Sequence, residues 1–280
     1  MRVTASLYAA PMPTLRIAVA STPLTATLEE ALPAALAAID EAGRQQARIV
    51  LLPEACLPGH RMQARAVPDY PAAALDDALA AIGAAAKRAG VVTIVGTERG
   101  DAGGRALVEV VYDASGARLG EQVKTQVDPS EEKVYAPGSR RRVFTAAGVT
   151  FGIAICHEVF RYPEITRALV LAGAQIVFAP HFVTTKTGAL PARWLDPAGP
   201  YNEKALLCRA MENTVFIAAA NIAMPDQGSA TCIIGPDGAL VASVPYGQPG
   251  VVTADLDLSR ATRLIAERWS PARSISSIDR

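Results

Sequence analysis

Short apolar runs rich in β-branched residues recur along the whole chain, separated first by stretches of helical periodicity and later by tight-turn residues. Runs of this kind bury themselves by pairing edge to edge, so they dictate sheets with helices against their outer faces. Leu15–Ala20 (LRIAVA) reads as a first buried strand, and Ala47–Pro53 (ARIVLLP) as a second that ends at Glu54. Between them Thr27 opens a helical stretch to Ala42 with acids in its first turn, and Pro33 marks that turn or a kink. A helix over Ala72–Ala89 precedes a strand at Val91–Thr97. The pattern then changes. Within Leu107–Thr125, LVEVVYD and ARLGEQVKT flank a turn at Asp113–Gly116 and predict a hairpin. Val149–Ile155 is a strand running straight into Cys156, followed by a helix opened near Pro163 and closed by Gly173. Gln175–Ala179, Thr214–Ala220 and Val251–Leu256 read as further strands. Asn202–Asn213 reads as a helix, residues 231–244 as a hairpin turning at Pro236–Gly238, and Ser259–Trp269 as a last helix.

No linker or fixed-period repeat divides this pattern, so residues 1–280 read as one α/β domain with a core of about 15–257. Such a domain holds one large mixed sheet, or two sheets packed together with helices outside. Lys plus Arg equals Asp plus Glu at 27 each, a balance that supplies no strong field for nucleic acid or an acidic membrane. The basic cluster Arg140–Arg142 reads as a solvated turn. Charges, Pro and Gly interrupt every apolar stretch short of a membrane span, and the N-terminal lead MRVTASLYAAPMPT lacks the apolar core of a signal peptide. The four cysteines are widely spaced, without a CxxC pair, which argues against a disulfide framework, and the cytoplasm is the default expectation. The three histidines show no metal-ligand spacing, so no metal site is expected.

Three residues stand where chemistry is done. Cys156 sits between an apolar strand and a helix, where the following N–H groups and the helix dipole favour a thiolate and a developing oxyanion. Glu54 stands where a buried strand emerges, and partial burial suits a carboxylate to general-base work. Lys124 closes a hairpin strand, with Glu131 and Glu132 a few residues on, and a lysine held by carboxylates stays charged and stabilises negative charge on a substrate oxygen. Taken singly, each is explained as well by structure: a core cysteine, a loop acid, a strand-end lysine. Their order changes that reading.

LLPEACLPG, VKTQVDPSEEKVYAPG and FGIAICHEVFRYPEITRALVLAGAQIVFAPHF resemble, in that order, the three signature segments of the carbon–nitrogen hydrolase (nitrilase) superfamily, in its amidase-like branch. The resemblance continues in CRAMENTVFIAAAN and SATCIIGPDGALVA and so covers nearly the whole chain. It implies an α-β-β-α sandwich of two mixed sheets flanked by helices, with a Glu–Lys–Cys triad. By motif position Glu54 matches the general base, Lys124 the catalytic lysine and Cys156 the nucleophile. The family's second glutamate matches Glu131, ahead of Tyr135-Ala136-Pro137-Gly138, with Glu132 as the fallback. The resemblance further implies hydrolysis, without a cofactor, of a non-peptide C–N bond through a cysteine thioester. Its substrate is a small-molecule amide or carbamoyl-amine. A homodimer or larger homo-oligomer, paired across the helix after the nucleophile strand, belongs to the same expectation.

Two departures bear on the substrate. His157 and Glu158 follow the cysteine where many amidase-like members have an aromatic residue and an aspartate, and CHEVFRYPE is one residue longer than the commoner spacing. His157 and Cys156 are adjacent and point apart on an extended chain, so His157 is read as pocket wall rather than as a catalytic partner. His181 ends a strand at the rim where such sites form, and the long loop that begins at Phe182 carries Trp194. With Arg161, these are the candidate substrate contacts. His60 has only loop context, and no role is assigned to it. A nitrile hydrolase, a thioester N-acyltransferase and a catalytically silent dimerising scaffold are the alternatives.

Overall fold

Side chains alternate in direction along β1 (Thr14–Ser21), and that alternation sets the layers. Leu15, Ile17 and Val19 face a second sheet, where they meet Phe151, Ile153 and Phe178 in one continuous core. Ala18 and Ala20 face the other way, with Val50 and Leu52, beneath α1 (Leu28–Arg44) and α2 (Ala72–Ala89). Thr27 caps α1 by accepting from the Glu30 N–H at 3.3 Å, while the Glu30 carboxylate reaches back to the Ala26 N–H. The structure, a computed structural model, describes residues 14–101 and 104–274, and the N-terminal lead lies outside them.

Each sheet has six strands. In the first, β1 lies between β2 (Ile49–Leu51) and β12 (Gly250–Asp257), and beyond β2 follow β3 (Val92–Asp101), β4 (Gly104–Tyr112) and β5 (Arg118–Val123). In the second, β6 (Val143–Ala146), β7 (Val149–Ile153), β8 (Ile176–Pro180), β9 (Phe216–Ala220), β10 (Cys232–Ile234) and β11 (Leu240–Ser243) lie in chain order. Both have a parallel centre, β1-β2-β3 and β7-β8-β9, with antiparallel flanks. The two mixed sheets with helices outside match the expected α-β-β-α sandwich. Phe151 and Phe178 meet edge to face at 5.2 Å in the seam, and truncating either to Ala would cost about 3–5 kcal/mol.

On the second sheet's side lie α3 (His157–Arg161), α4 (Pro163–Leu171) and α5 (Asn202–Asn213). The sequence reading missed α3, which separates Cys156 from the Pro163 helix, and the four-residue edge strand β6. Its last helix also differs. Residues 258–274 form a 3-10 turn and two short helices, α6 (Leu264–Glu267) and α7 (Pro271–Ser274), because Arg263 turns left-handed at φ 56°. β9 starts two residues later than expected for the same reason, Thr214 having φ 50°.

Candidate active site

The parallel strands of both sheets end at the same edge of the seam, the place where open α/β sheets present side chains to a ligand. From the first sheet, β2 ends in Leu52-Pro53 and delivers Glu54 on a tight turn, with Ala55 at φ 46°. Gly96 of β3 lets that turn approach: a Cβ there would stand 2.3 Å from the Pro53 carbonyl oxygen and 2.5 Å from the Ala55 nitrogen. Lys124 follows β5 directly, its N–H donating to the Leu107 carbonyl at 2.9 Å. From the second sheet, β7 runs through Ala154-Ile155 to Cys156, whose N–H donates to the Pro180 carbonyl at 2.9 Å. Cys156 adopts φ 48°, ψ −108°, a strained strand-to-helix corner that persists because its neighbours over-determine it.

The charged groups meet in one buried cluster. Lys124 Nζ donates to Glu54 Oε1 at 2.8 Å and to Glu131 Oε2 at 2.7 Å, all three side chains nearly inaccessible to water. Glu132, the fallback, is exposed. The Phe182 N–H donates to Glu54 Oε2 at 3.0 Å, and the Asp128 N–H to Glu131 Oε2 at 3.1 Å. Burial works to lower the proton affinity of Lys124, but the negative charges of Glu54 and Glu131 push it well above the usual lysine value. Burial works to raise Glu131, yet His60 and Lys124 hold it down at about 2. Glu54, His60 and Glu131 lie close enough together to ligate a cation, but the Lys124 ammonium already supplies one there.

Cys156 differs from the expectation of a ready thiolate. Its burial, followed by the nearby charge of Glu54, pushes the thiol well above its usual range. Its Sγ lies 3.8 Å from the Phe182 carbonyl oxygen, so the resting group is a thiol that needs a base during attack. The His157 N–H, first in α3, has no acceptor one turn back and is free to meet an oxyanion.

Glu158 explains one of the departures. It is fully buried, and its Oε1 accepts from the Thr125 N–H at 2.6 Å, the Thr125 hydroxyl at 2.8 Å, the Gln126 N–H at 3.2 Å and Arg141 at 2.5 Å. Its Oε2 accepts from the Ile155 N–H at 2.7 Å. One carboxylate thus clamps the residue before Cys156 to the residues after Lys124. Arg141 belongs to this clamp, so the basic cluster is not wholly a solvated turn. Nothing in the spacing of Glu158 signals the role, because Thr125 and Gln126 lie more than thirty residues earlier and Arg141 lies 17 residues earlier.

A cavity of about 570 Å³ opens over Cys156 and is lined by His60, Glu131, His157, Arg161 and Phe182, with Tyr201 and Lys186 further out. His157 Nδ1 pairs with Asp128 Oδ2 at 2.8 Å, and the Arg161 guanidinium lies 4.0 Å over the Tyr201 ring. Two expected contacts are elsewhere. His181 is fully buried, its Nδ1 2.9 Å from the Ala179 carbonyl oxygen and its ring edge-on to Phe160, and burial holds it down at about 4. Trp194 packs against the hydrophobic core and is absent from the cavity wall. His60, to which the sequence assigned nothing, is inside. A histidine six residues after the motif glutamate, in a Pro-Gly loop, was the available signal.

The carbon-nitrogen hydrolase family model matches residues 16–266. The chain is 25% identical over 268 residues to the omega-amidase of Bos taurus, covering 90% of this chain and 92% of that protein. It is 31% identical over 146 residues to an (R)-stereoselective amidase of Pseudomonas, covering 50% of this chain and about half, 49%, of that relative. Among solved structures, an amidase of the nitrilase superfamily from Nesterenkonia AN1 superposes with a TM-score of 0.77 at 20% identity, over 98% of this chain and 100% of that one. In a glutamate-to-glutamine variant of that amidase, the acetamide moiety of fluoroacetamide is covalently added at the active-site cysteine.

Proposed function

The chain belongs to the carbon-nitrogen hydrolase family, and from that premise we propose that it hydrolyses the C–N bond of a small amide or carbamoyl-amine through a thioester on Cys156. The observation that carries this reading is the Lys124 ammonium held between Glu54 and Glu131 at the mouth of the Cys156 corner.

Cys156 Sγ bonds to the amide carbon while Glu54 takes the thiol proton, and the carbonyl electron pair moves onto oxygen. Lys124 and the His157 N–H meet that oxyanion. Collapse breaks the C–N bond, and Glu54 returns its proton to the leaving nitrogen, so ammonia or an amine departs from a thioester. Water then attacks the thioester, Glu54 takes its proton, and the acid leaves as the thiol reforms. Glu131 keeps Lys124 charged and aimed throughout.

Arg161 and Lys186 enter no ion pair among the described residues, and with Asp128, Asp226, Met62 and Met224 they give the cavity a wall of both charges interleaved with apolar groups. That wall suits a small aliphatic amide better than a bulky aromatic nitrile. We also propose a homodimer through the outer faces of α4 to α6, where Leu171, Met211, Leu264 and Ile265 are exposed. The four free cysteines suit the cytoplasm, and no described helix is long and apolar enough to cross a membrane. Ammonia release from a panel of small amides, with and without an amine acceptor, tests the reaction and separates hydrolase from acyltransferase. A Cys156→Ala protein with unchanged amide, nitrile and ester activities would sink it.

A further inference from the structure

His60 is the one fully buried titratable side chain in the cavity wall that the mechanism above leaves unused. Its ring stacks face to face on Phe182, 4.4 Å between centroids and 7° from parallel. Phe182 in turn donates its N–H to Glu54 and turns its carbonyl toward Cys156 Sγ. The Met62 N–H donates to His60 Nδ1 at 3.2 Å. A ring nitrogen that accepts carries no proton, so the proton of the neutral ring lies on Nε2. Nε2 has no aligned hydrogen-bond acceptor, yet it faces Glu131 Oε1 at 3.3 Å and Glu54 Oε2 at 3.9 Å. A buried N–H is costly to leave unused, and Glu131 Oε1 is the nearer of the two carboxylate oxygens it faces.

The geometry points to His60 as a positioning residue of the triad, locked as the neutral Nε2–H tautomer so that a single donor steadies the two glutamates that hold Lys124. Each oxygen of Glu131 then has a partner: Oε2 takes Lys124 and the Asp128 N–H, and Oε1 takes His60. The donor is neutral, so it fixes the carboxylates without competing with Lys124 as a second cation. The inference rests on the amidase reading for its purpose, but its test does not depend on amide turnover.

The probe is chloroacetamide, with carboxamidomethylation of Cys156 followed by peptide mass spectrometry, which separates it from the exposed Cys208. His60→Phe keeps the ring and removes the donor, and it lowers the Cys156 alkylation rate about tenfold, the worth of one hydrogen bond to a charged group. His60→Gln places an amide N–H near the Nε2 position and stays within about threefold of the parent. A His60→Phe protein as reactive as the parent, or a His60→Gln protein that falls as far as His60→Phe, overturns the assignment. Nitrogen-15 NMR of the histidine-labelled parent decides the matter should His60→Phe not fold. The expected spectrum has Nδ1 unprotonated and Nε2 protonated, and the opposite tautomer or a doubly protonated ring at neutral pH overturns the assignment. Loss of amide hydrolysis with intact His60-dependent alkylation would instead fault the proposed reaction.

Discussion

The two sheets share one plan, a parallel centre with antiparallel flanks, but they bring different chemistry to the seam. The first sheet delivers charge: Glu54 beyond β2 and Lys124 beyond β5, both buried and paired. The second brings the proposed nucleophile, Cys156 beyond β7, and Phe182 beyond β8, while its own buried acid, Glu158, pairs with Arg141 outside that cluster. Charges can be kept dry only where they satisfy one another, so the acid–base group is assembled from a single sheet and its following loop. The thiol is neutral at rest and tolerates the apolar edge of the other. Catalysis on this account needs the two edges in register, which is the task of Glu158.

This division predicts a graded series. Cys156→Ala removes the nucleophile and lowers amide hydrolysis by at least about 1,000-fold, measured as ammonia release, while the sandwich stays folded because only a sulfur is lost. Lys124→Met damages both function and fold. It lowers turnover by about 100- to 1,000-fold as an oxyanion donor is lost, and leaving two buried carboxylates unpaired costs about 3–5 kcal/mol in chemical denaturation. If Lys124→Met were as stable as the parent, the first sheet would not be holding charge as described. Glu158→Gln attacks the register between sheets, because an amide nitrogen cannot accept from the donors around either oxygen. A loss of about 1.5–3 kcal/mol in stability, with a fall in kcat at little-changed KM, is the expected outcome. Arg161→Ala, out on the cavity wall, raises KM by less than about tenfold and leaves kcat in place.

The smallest effect separates the edges by pH. His181, on the second sheet, is held at about 4 against an ordinary 6.5, and Glu131, from the first, at about 2 against 4.5. Both folded values are depressed, so each group's contribution is present above its ordinary value and lost as pH falls toward its folded value. The thermal midpoint should therefore begin to fall below about pH 6.5 through His181, and fall further below about 4.5 through Glu131. His181→Gln shrinks the first part of that fall, leaving the share of His157, which burial also holds below its ordinary value, and leaves the second unchanged. An unchanged profile in His181→Gln would refute the neutral, buried histidine.

Much of this was legible in the sequence where pattern is local. The apolar run LRIAVA marked β1 as a buried strand, and the motif order of Glu54, Lys124 and Cys156 pointed to side chains the fold brings together. Glu131 rather than Glu132 followed from the Tyr-Ala-Pro-Gly segment behind it. The misses are long-range. Glu158 looked like a departure because its worth lies mainly in four hydrogen bonds to other segments. His60 sits in a loop without periodicity, and only the tertiary fold stacks it on Phe182. His181 was expected at the rim, yet the strand-end geometry turns its ring inward against Phe160. The C-terminal helix failed for a local reason that propensity does not show, a left-handed Arg263.

Acid-quenched peptide mass spectrometry of the protein mixed with a library of small amides tests the thioester on Cys156 itself. The expected result is an acyl group, amide mass less ammonia or amine, on the Cys156 peptide, absent from Cys156→Ala and released by water over time. Ammonia or amine release that proceeds at full rate in Cys156→Ala, with no acyl group on the parent's Cys156 peptide, would contradict it.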